Sequence, residues 1–248
     1  MEKIYGRTKT IQEDKVSGFC PGCMHSTVIK LIGEVLEEMD LVDRAACVLG
    51  IGCCGLHMDY IAYDNTTAPH GRACAVATGM KRSNPDSLVF TYQGDGDFAS
   101  IGLAESISAA NRGENITVIF INNGIYGMTG GQMAPTTLEG MKTSTTPYGR
   151  RADLNGYPLK ITDMITLLDG TCLVSRQAVH TPAAVRNAKK AIKQAFINAR
   201  EKRGTSFIEI VSTCNSGWKM SPEKANKWME ENMFAKYPLG ELKNTVKE

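Results

Sequence analysis

No run of about eighteen consecutive apolar residues occurs in this sequence, so none of it reads as a membrane-spanning helix. The N-terminal stretch MEKIYGRTKTIQEDK also lacks the apolar centre of a secretory signal, and the expected compartment is the cytoplasm. An excess of one charge is missing as well: 28 basic and 26 acidic residues leave a formal charge of +2, with the Lys and Arg scattered. A nucleic-acid surface needs a basic stripe, so no nucleic-acid partner is expected. No repeat, low-complexity segment or obvious linker interrupts the 248 residues, which suffice for one α/β domain with a proper core. The expected layout is an N-terminal arm over 1–18 lying on a neighbouring subunit, a single domain over 19–240, and a tail over 241–248.

Thr91 to Gln132 is the most informative stretch. It reads apolar strand, glycine-rich turn, helix, second apolar strand and polar turn, a parallel βαβ unit whose two turns emerge at the same sheet edge. Ligands bind at that edge in open α/β sheets. The first turn, Gly94-Asp95-Gly96-Asp97-Phe98-Ala99, satisfies the spacing of a dinucleotide fingerprint. The acidic residue that would hold a ribose is absent, however, because the next strand ends in Asn122-Asn123. Two carboxylates in the turn would repel a bare diphosphate, and a divalent cation resolves the conflict. Magnesium takes hard oxygen ligands, commonly a carboxylate or two together with phosphate oxygens.

Eight cysteines fall at 20, 23, 47, 53, 54, 74, 172 and 214. Cytosolic thiols stay reduced, so disulfides are not expected. Cys20-Pro21-Gly22-Cys23 precedes a run with apolar residues at helical spacing, Val28 to Met39, which places the C-x-x-C on the loop at a helix start. The helix N-terminus should lower the pKa of these thiols. A C-x-x-C can be a zinc half-site, a redox disulfide or a cluster half-site, and alone does not choose among them.

Further strands are expected over 45–51, 87–93, 171–177 and 207–211. Further helices are expected over 73–80, 161–168, 182–203 and 222–232, the last with Trp228 turned inward. His70 and Arg72, in the turn Pro69-His70-Gly71-Arg72, stand at a helix start where an anion could be met. The long Thr- and Pro-rich segment after Gln132 lacks periodicity; loops of that length are usually functional, and this one is expected to cover a cofactor or dock a partner.

The motif GDG, helix, strand, NN resembles the diphosphate-binding motif of thiamine diphosphate enzymes. With CPGC, GIGC at a strand end, PHGR, NNGIYGMTGGQ and the late Ser212-Thr213-Cys214, the chain resembles the β subunit of 2-oxoacid:ferredoxin oxidoreductases, closest to the 2-oxoisovalerate, or branched-chain, type. Met24-His25 where Gly-His is common, and the extra Cys54, are the departures. The resemblance implies an α/β thiamine diphosphate-binding fold, a mostly parallel sheet with helices on both faces. It implies magnesium held by Asp95, Asn123 and the Ile125 carbonyl, a diphosphate turn of Gly94, Asp95, Gly96 and Asp97, and His70 lining the thiamine pocket as the catalytic candidate. It also implies a 4Fe–4S cluster. Its expected ligands are Cys20, Cys23, Cys53 and Cys214: aligning GIGCCG with GIGC takes Cys53 and leaves Cys54 spare, while Cys47, Cys74 and Cys172 lie inside apolar elements as core residues. Cys53 and Cys214 each follow a strand, and those two strands could lie side by side.

The implied reaction is CoA-dependent oxidative decarboxylation of a 2-oxo acid to acyl-CoA and carbon dioxide with reduction of ferredoxin. No C-x-x-C-x-x-C-x-x-x-C-P pattern and no second thiamine-binding half are evident. By resemblance an α subunit supplies the pyrimidine-binding half, with γ and ferredoxin-like δ subunits completing a hetero-oligomer. Gly130 and Gly131 put no cation beside the substrate tail, which suits a branched-chain acid. A 2-oxoglutarate- or pyruvate-specific member, or a non-redox thiamine diphosphate decarboxylase subunit, is the alternative.

Overall fold

The computed structural model describes residues 8–246. Nine strands run in chain order: β1 Ala45–Leu49, β2 Asp64–Thr67, β3 Leu88–Gly94, β4 Thr117–Asn122, β5 Ile125–Tyr126, β6 Gln132–Met133, β7 Thr171–Ala178, β8 Thr205–Val211 and β9 Gly240–Asn244. The principal helices are α1 His25–Glu38, α2 Ala73–Ser83, α3 Leu103–Asn111, the single turn α4 Ala152–Asn155, α5 Ile161–Thr166, α6 Pro182–Arg200 and α7 Pro222–Trp228.

Seven strands form one sheet in the order β2-β1-β3-β4-β8-β7-β9, parallel throughout except for the antiparallel edge strand β9. β4 and β8 are buried along their whole length, as expected of strands covered on both faces. Alternate side chains divide the interior into two cores. On one face Phe90, Ile119 and Ile208 pack with Val28, Ile32 and Val35 of α1 and Ile192 and Phe196 of α6. On the other, Val89, Val118 and Phe207 pack with Ala73 and Ala77 of α2, Ala109 of α3 and Ile165 of α5. α6 has a well-marked start: the Thr181 hydroxyl accepts from the Ala184 N–H, and Pro182 occupies the first turn.

Several expectations need correction. Gly240–Asn244 is not a free tail but pairs with β7 at the sheet edge. β2, Asp-Asn-Thr-Thr, carries no apolar signal because it is a half-exposed edge strand. The glycine-rich turn opens first into a π-helical turn, Asp97–Ile101, before α3 begins. Trp228 does turn inward as expected: half-buried, it packs against the core edge-on to Trp218, with 4.9 Å between ring centroids. Residues 1–7 of the arm and 247–248 of the tail lie outside the described residues. Thr10 is fully buried and Ile11 bridges Ile61, so this part of the arm packs on its own chain. β1 and β8 are not neighbours; β3 and β4 lie between them.

Candidate active site

The C-terminal ends of β1, β3, β4 and β8 point to one edge, and the segments leaving them build two adjoining cavities. The first, about 220 Å³, is lined by His70, Gly94, Asp95, Gly96, Asp97, Asn123 and Ile125, together with His25, Ile51, Cys53, Cys54, Tyr126 and Met128. All the residues expected to hold a metal diphosphate therefore meet in one place. Arg72 does not join them, because its guanidinium pairs with Glu105 at 3.2 Å and donates to the Ile101 carbonyl.

Asp95 is 3% exposed and has no basic partner among the described residues. Its Oδ1 accepts from the Gly96 N–H at 2.9 Å and its Oδ2 from the Thr136 hydroxyl at 2.6 Å. Burial outweighs these bonds and pushes its pKa up to about 6. A buried carboxylate so poorly compensated fits a site completed by a cation. Asn123 Oδ1 accepts from the Ile125 N–H at 3.2 Å, and the Asn123 carbonyl accepts from Trp218 Nε1 at 3.2 Å, which fixes the second turn. Gly96 has no space for a side chain: a methyl group there would lie 1.9 Å from the Tyr126 ring.

Asp97 behaves differently. Its Oδ1 lies 2.6 Å from His70 Nδ1 and accepts from the Gly71 N–H at 2.9 Å and the Ile51 N–H at 3.1 Å, while Oδ2 accepts from Gln93 Nε2 at 2.7 Å.

The second cavity, about 290 Å³, is lined by Cys20, Cys23, Cys53 and Cys214 with Phe19, Leu56, Met128 and Asn215 among others. Cys53 and Cys214 flank Gly127, where a methyl group would stand 3.7 and 2.9 Å from their sulfurs. Cys54 is 2% exposed and lines only the first cavity; Cys47, Cys74 and Cys172 are in the core. All eight thiols are free. The expected lowering at the helix start is not found. Burial pushes Cys23 up to about 11 and Cys214 up to about 12, and raises Cys53. The bond from the His25 backbone only partly offsets this at Cys23. Ligation must therefore displace protons.

Among the described residues no three His, Cys, Asp or Glu side chains converge on a single metal ion. Neither candidate site requires that. One carboxylate, an amide and a carbonyl suffice beside phosphate oxygens, and thiols around a cluster-sized cavity stand farther apart than ligands of one ion. Four thiols on one largely apolar cavity fit a cluster.

Three residues at the site were not singled out in the sequence. His25 lines both cavities, with its Nδ1 2.6 Å from the Tyr92 hydroxyl and Phe19 stacked on its ring at 4.9 Å. Its place two residues after the C-x-x-C was the available signal. Thr136 and the buried Arg150 gave none. Arg150 donates to the carbonyls of Pro135, Thr137, Gly156 and Tyr157 at 2.7 to 2.9 Å and so shapes the long loop.

Residues 50–210 match the family described as thiamine pyrophosphate enzyme, C-terminal TPP binding domain. The chain is 41% identical over 230 residues to the ketoisovalerate oxidoreductase subunit VorA of Methanothermobacter thermautotrophicus, covering 93% of this chain and 48% of that one. The chain thus spans about half the length of that relative. It is 34% identical over 214 residues to the 2-oxoglutarate synthase subunit KorB of Archaeoglobus fulgidus, 86% of this chain and 76% of that one. A solved 2-oxoglutarate:ferredoxin oxidoreductase from Magnetococcus marinus, with 2-oxoglutarate, coenzyme A and succinyl-CoA bound, superposes with a TM-score of 0.79 at 25% identity, over 98% of this chain and 87% of that one. The chain belongs to the thiamine pyrophosphate-binding enzymes and, among them, to the VorA- and KorB-type subunits of the 2-oxoacid:ferredoxin oxidoreductases.

Proposed function

We propose that this chain is the thiamine diphosphate- and cluster-binding subunit of a hetero-oligomeric 2-oxoacid:ferredoxin oxidoreductase. Its reaction would convert a 2-oxo acid and coenzyme A to acyl-CoA and carbon dioxide, with electrons leaving to ferredoxin. One observation carries the reading: His25, Cys53, Asn123, Gly127 and Met128 line both cavities, so the diphosphate site and the thiol site share a wall. Asp95, Asn123 and the Ile125 carbonyl would hold magnesium. Cys20, Cys23, Cys53 and Cys214 would hold a 4Fe–4S cluster, and His70 would face the substrate. Thiamine diphosphate supplies the decarboxylation chemistry, and the cluster supplies a one-electron exit. The residues of this chain supply position, charge compensation and a largely apolar wall.

The substrate assigned is a branched-chain 2-oxo acid. Identity to the ketoisovalerate relative is 41%, against 34% to 38% for the 2-oxoglutarate relatives. Gly130 and Gly131, in the turn beside the first cavity, offer no cation to a second carboxylate. Co-production with α, γ and δ partner subunits under anaerobic conditions tests the proposal. The complex should be brown, contain iron and thiamine diphosphate, and reduce a viologen dye with the highest specificity constant for 2-oxoisovalerate. A colourless, zinc-containing complex overturns the cluster assignment, and a clear preference for 2-oxoglutarate or pyruvate overturns the substrate.

A further inference from the structure

We propose that Asp97 is a positioning residue for His70 rather than a ligand of the cofactor. It holds the imidazole in the Nδ1–H tautomer and leaves Nε2 as the proton acceptor of the first cavity. The functional half of this inference rests on the reading of that cavity as the thiamine pocket; the tautomer does not.

Hydrogen-bond capacity decides the tautomer. An ionised carboxylate only accepts, and two backbone N–H groups, Gly71 and Ile51, already donate to Asp97 Oδ1. That oxygen is therefore an acceptor, and His70 Nδ1, 2.6 Å away, must carry the hydrogen. Gln93 Nε2 engages the other oxygen, and the Gln93 amide is oriented in turn by the Cys74 thiol donating to its Oε1 at 3.2 Å. The carboxylate and the amide behind it are out of water: Asp97 is 1% exposed and Gln93 fully buried. Gly50 permits the close approach, since a methyl group there would stand 2.6 Å from Asp97 Oδ2. One carboxylate at the start of the π-helical turn thus ties three segments together, the turn after β1, the His70 turn and the end of β3. Four contacts crowd its two oxygens, three of them on Oδ1, which leaves it less room for a metal than Asp95 with one donor on each oxygen.

The imidazole differs from its partner in being open to the cavity, with 43% of its side chain exposed. When a ligand group delivers a proton, its X–H bond breaks, an Nε2–H bond forms, and the imidazolium faces the Asp97 charge. No electrons are transferred in that step. The arrangement has the logic of a base oriented by a buried carboxylate.

Nitrogen-15 labelling of the histidines in the full chain, with long-range proton–nitrogen spectra, reads the tautomer directly; His70→Gln assigns the signal. The expected result is Nδ1–H for His70, and an Nε2–H tautomer overturns the inference without reference to turnover. Asp97→Asn supplies the functional test in the assembled enzyme. Its amide oxygen can still accept at Oδ1 while Gln93 turns over to accept from the new NH₂, so the fold and tautomer should persist. Loss of the charge should lower kcat about 10- to 100-fold and leave magnesium-dependent thiamine diphosphate affinity within about twofold. A collapse of that affinity returns Asp97 to the cofactor ligands, and an unchanged kcat removes its role in the reaction. An inactive wild-type complex with the expected tautomer indicts the functional reading and not the hydrogen-bond assignment.

Discussion

The hydroxyl of Thr136 donates to Asp95 Oδ2 at 2.6 Å across 41 residues of chain, so the long loop after β6 reaches back to hold the carboxylate assigned to magnesium. A hydrogen bond to a charged, buried acceptor contributes about 1.5 to 3 kcal/mol. Thr136 also favours the ionised form of Asp95 against burial. Thr136→Val should therefore push the Asp95 pKa further up and weaken magnesium-dependent thiamine diphosphate binding about 10-fold at neutral pH. Asp95→Ala should abolish it. Calorimetric titration of the assembled enzyme checks both, and unchanged affinity in the Asp95 variant would remove the metal assignment.

Single Cys-to-Ser changes should separate the thiols by the cavity they face. Variants at 20, 23, 53 and 214 should lose iron and the low-temperature EPR signal, whereas Cys54→Ser should keep both, because Cys54 lies outside the second cavity. Gly127→Ala offers a test that leaves every ligand in place. The added methyl would stand 2.9 Å from Cys214 Sγ, tighter than ordinary contact, and should reduce iron content. Loss of the cluster in Cys54→Ser with retention in Cys53→Ser would reverse the choice between the adjacent cysteines.

The parallel core of the fold was legible because its strands are apolar runs bounded by turn residues, and α1 and α6 carry clear helical periodicity. The short polar β2 and the edge strand β9 gave no such signal; backbone pairing at a sheet edge demands little of side chains. At the site, GDG and NN marked Asp95 and Asn123 because spacing along the chain survives in the βαβ geometry. Thr136 could not be read, since its role depends on where Arg150 folds the long loop. Nor could the raised thiol pKa values, because the sequence places Cys23 at a helix start but does not say how deeply it is buried. The convergence of Cys53 with Cys214 does not need adjacent strands: both segments bend over the same edge and meet at Gly127.

Beneath the second turn lies a buried ion pair whose disruption should be costly. Arg176, 2% exposed, donates through Nε to Glu209 at 2.5 Å and through Nη2 to Asp163 at 2.8 Å; Glu209 also accepts from Thr162 and, at 2.7 Å, from Asn122. Arg176→Met leaves Glu209 buried without its cation and should destabilise the chain by about 3 to 5 kcal/mol. The double variant Arg176→Met with Glu209→Leu should recover much of that loss. Urea unfolding of the three proteins measures it, and a double variant no better than the single one would show that the carboxylate was not the source of the cost. Because Asn122 precedes Asn123, the single variant should also weaken cofactor binding.

His57 is fully buried with no well-formed hydrogen bond at either ring nitrogen, edge-on to Tyr92 at 5.2 Å. Burial holds its pKa down at about 3, with the Cys54 backbone opposing only weakly. The sign of the linkage follows from that depression. In the unfolded chain the imidazole protonates near its ordinary pKa of about 6.5, whereas the folded chain cannot accept the proton until pH approaches about 3. The stability associated with the neutral ring is thus present above about pH 6.5 and is lost as pH falls toward the folded value. Between pH 7 and pH 5 one such histidine should cost roughly 2 kcal/mol. His25, held down at about 4 by burial, adds to the same trend. His57→Phe removes a buried polar ring without opening a cavity. It should raise stability at pH 7 by about 1 kcal/mol and flatten the acid dependence between pH 7 and pH 5. Urea unfolding of the wild type and the variant at both pH values tests this. Equal slopes with pH would show that His57 is protonated in the folded chain, or shielded by a partner that the hydrogen-bond pattern lacks.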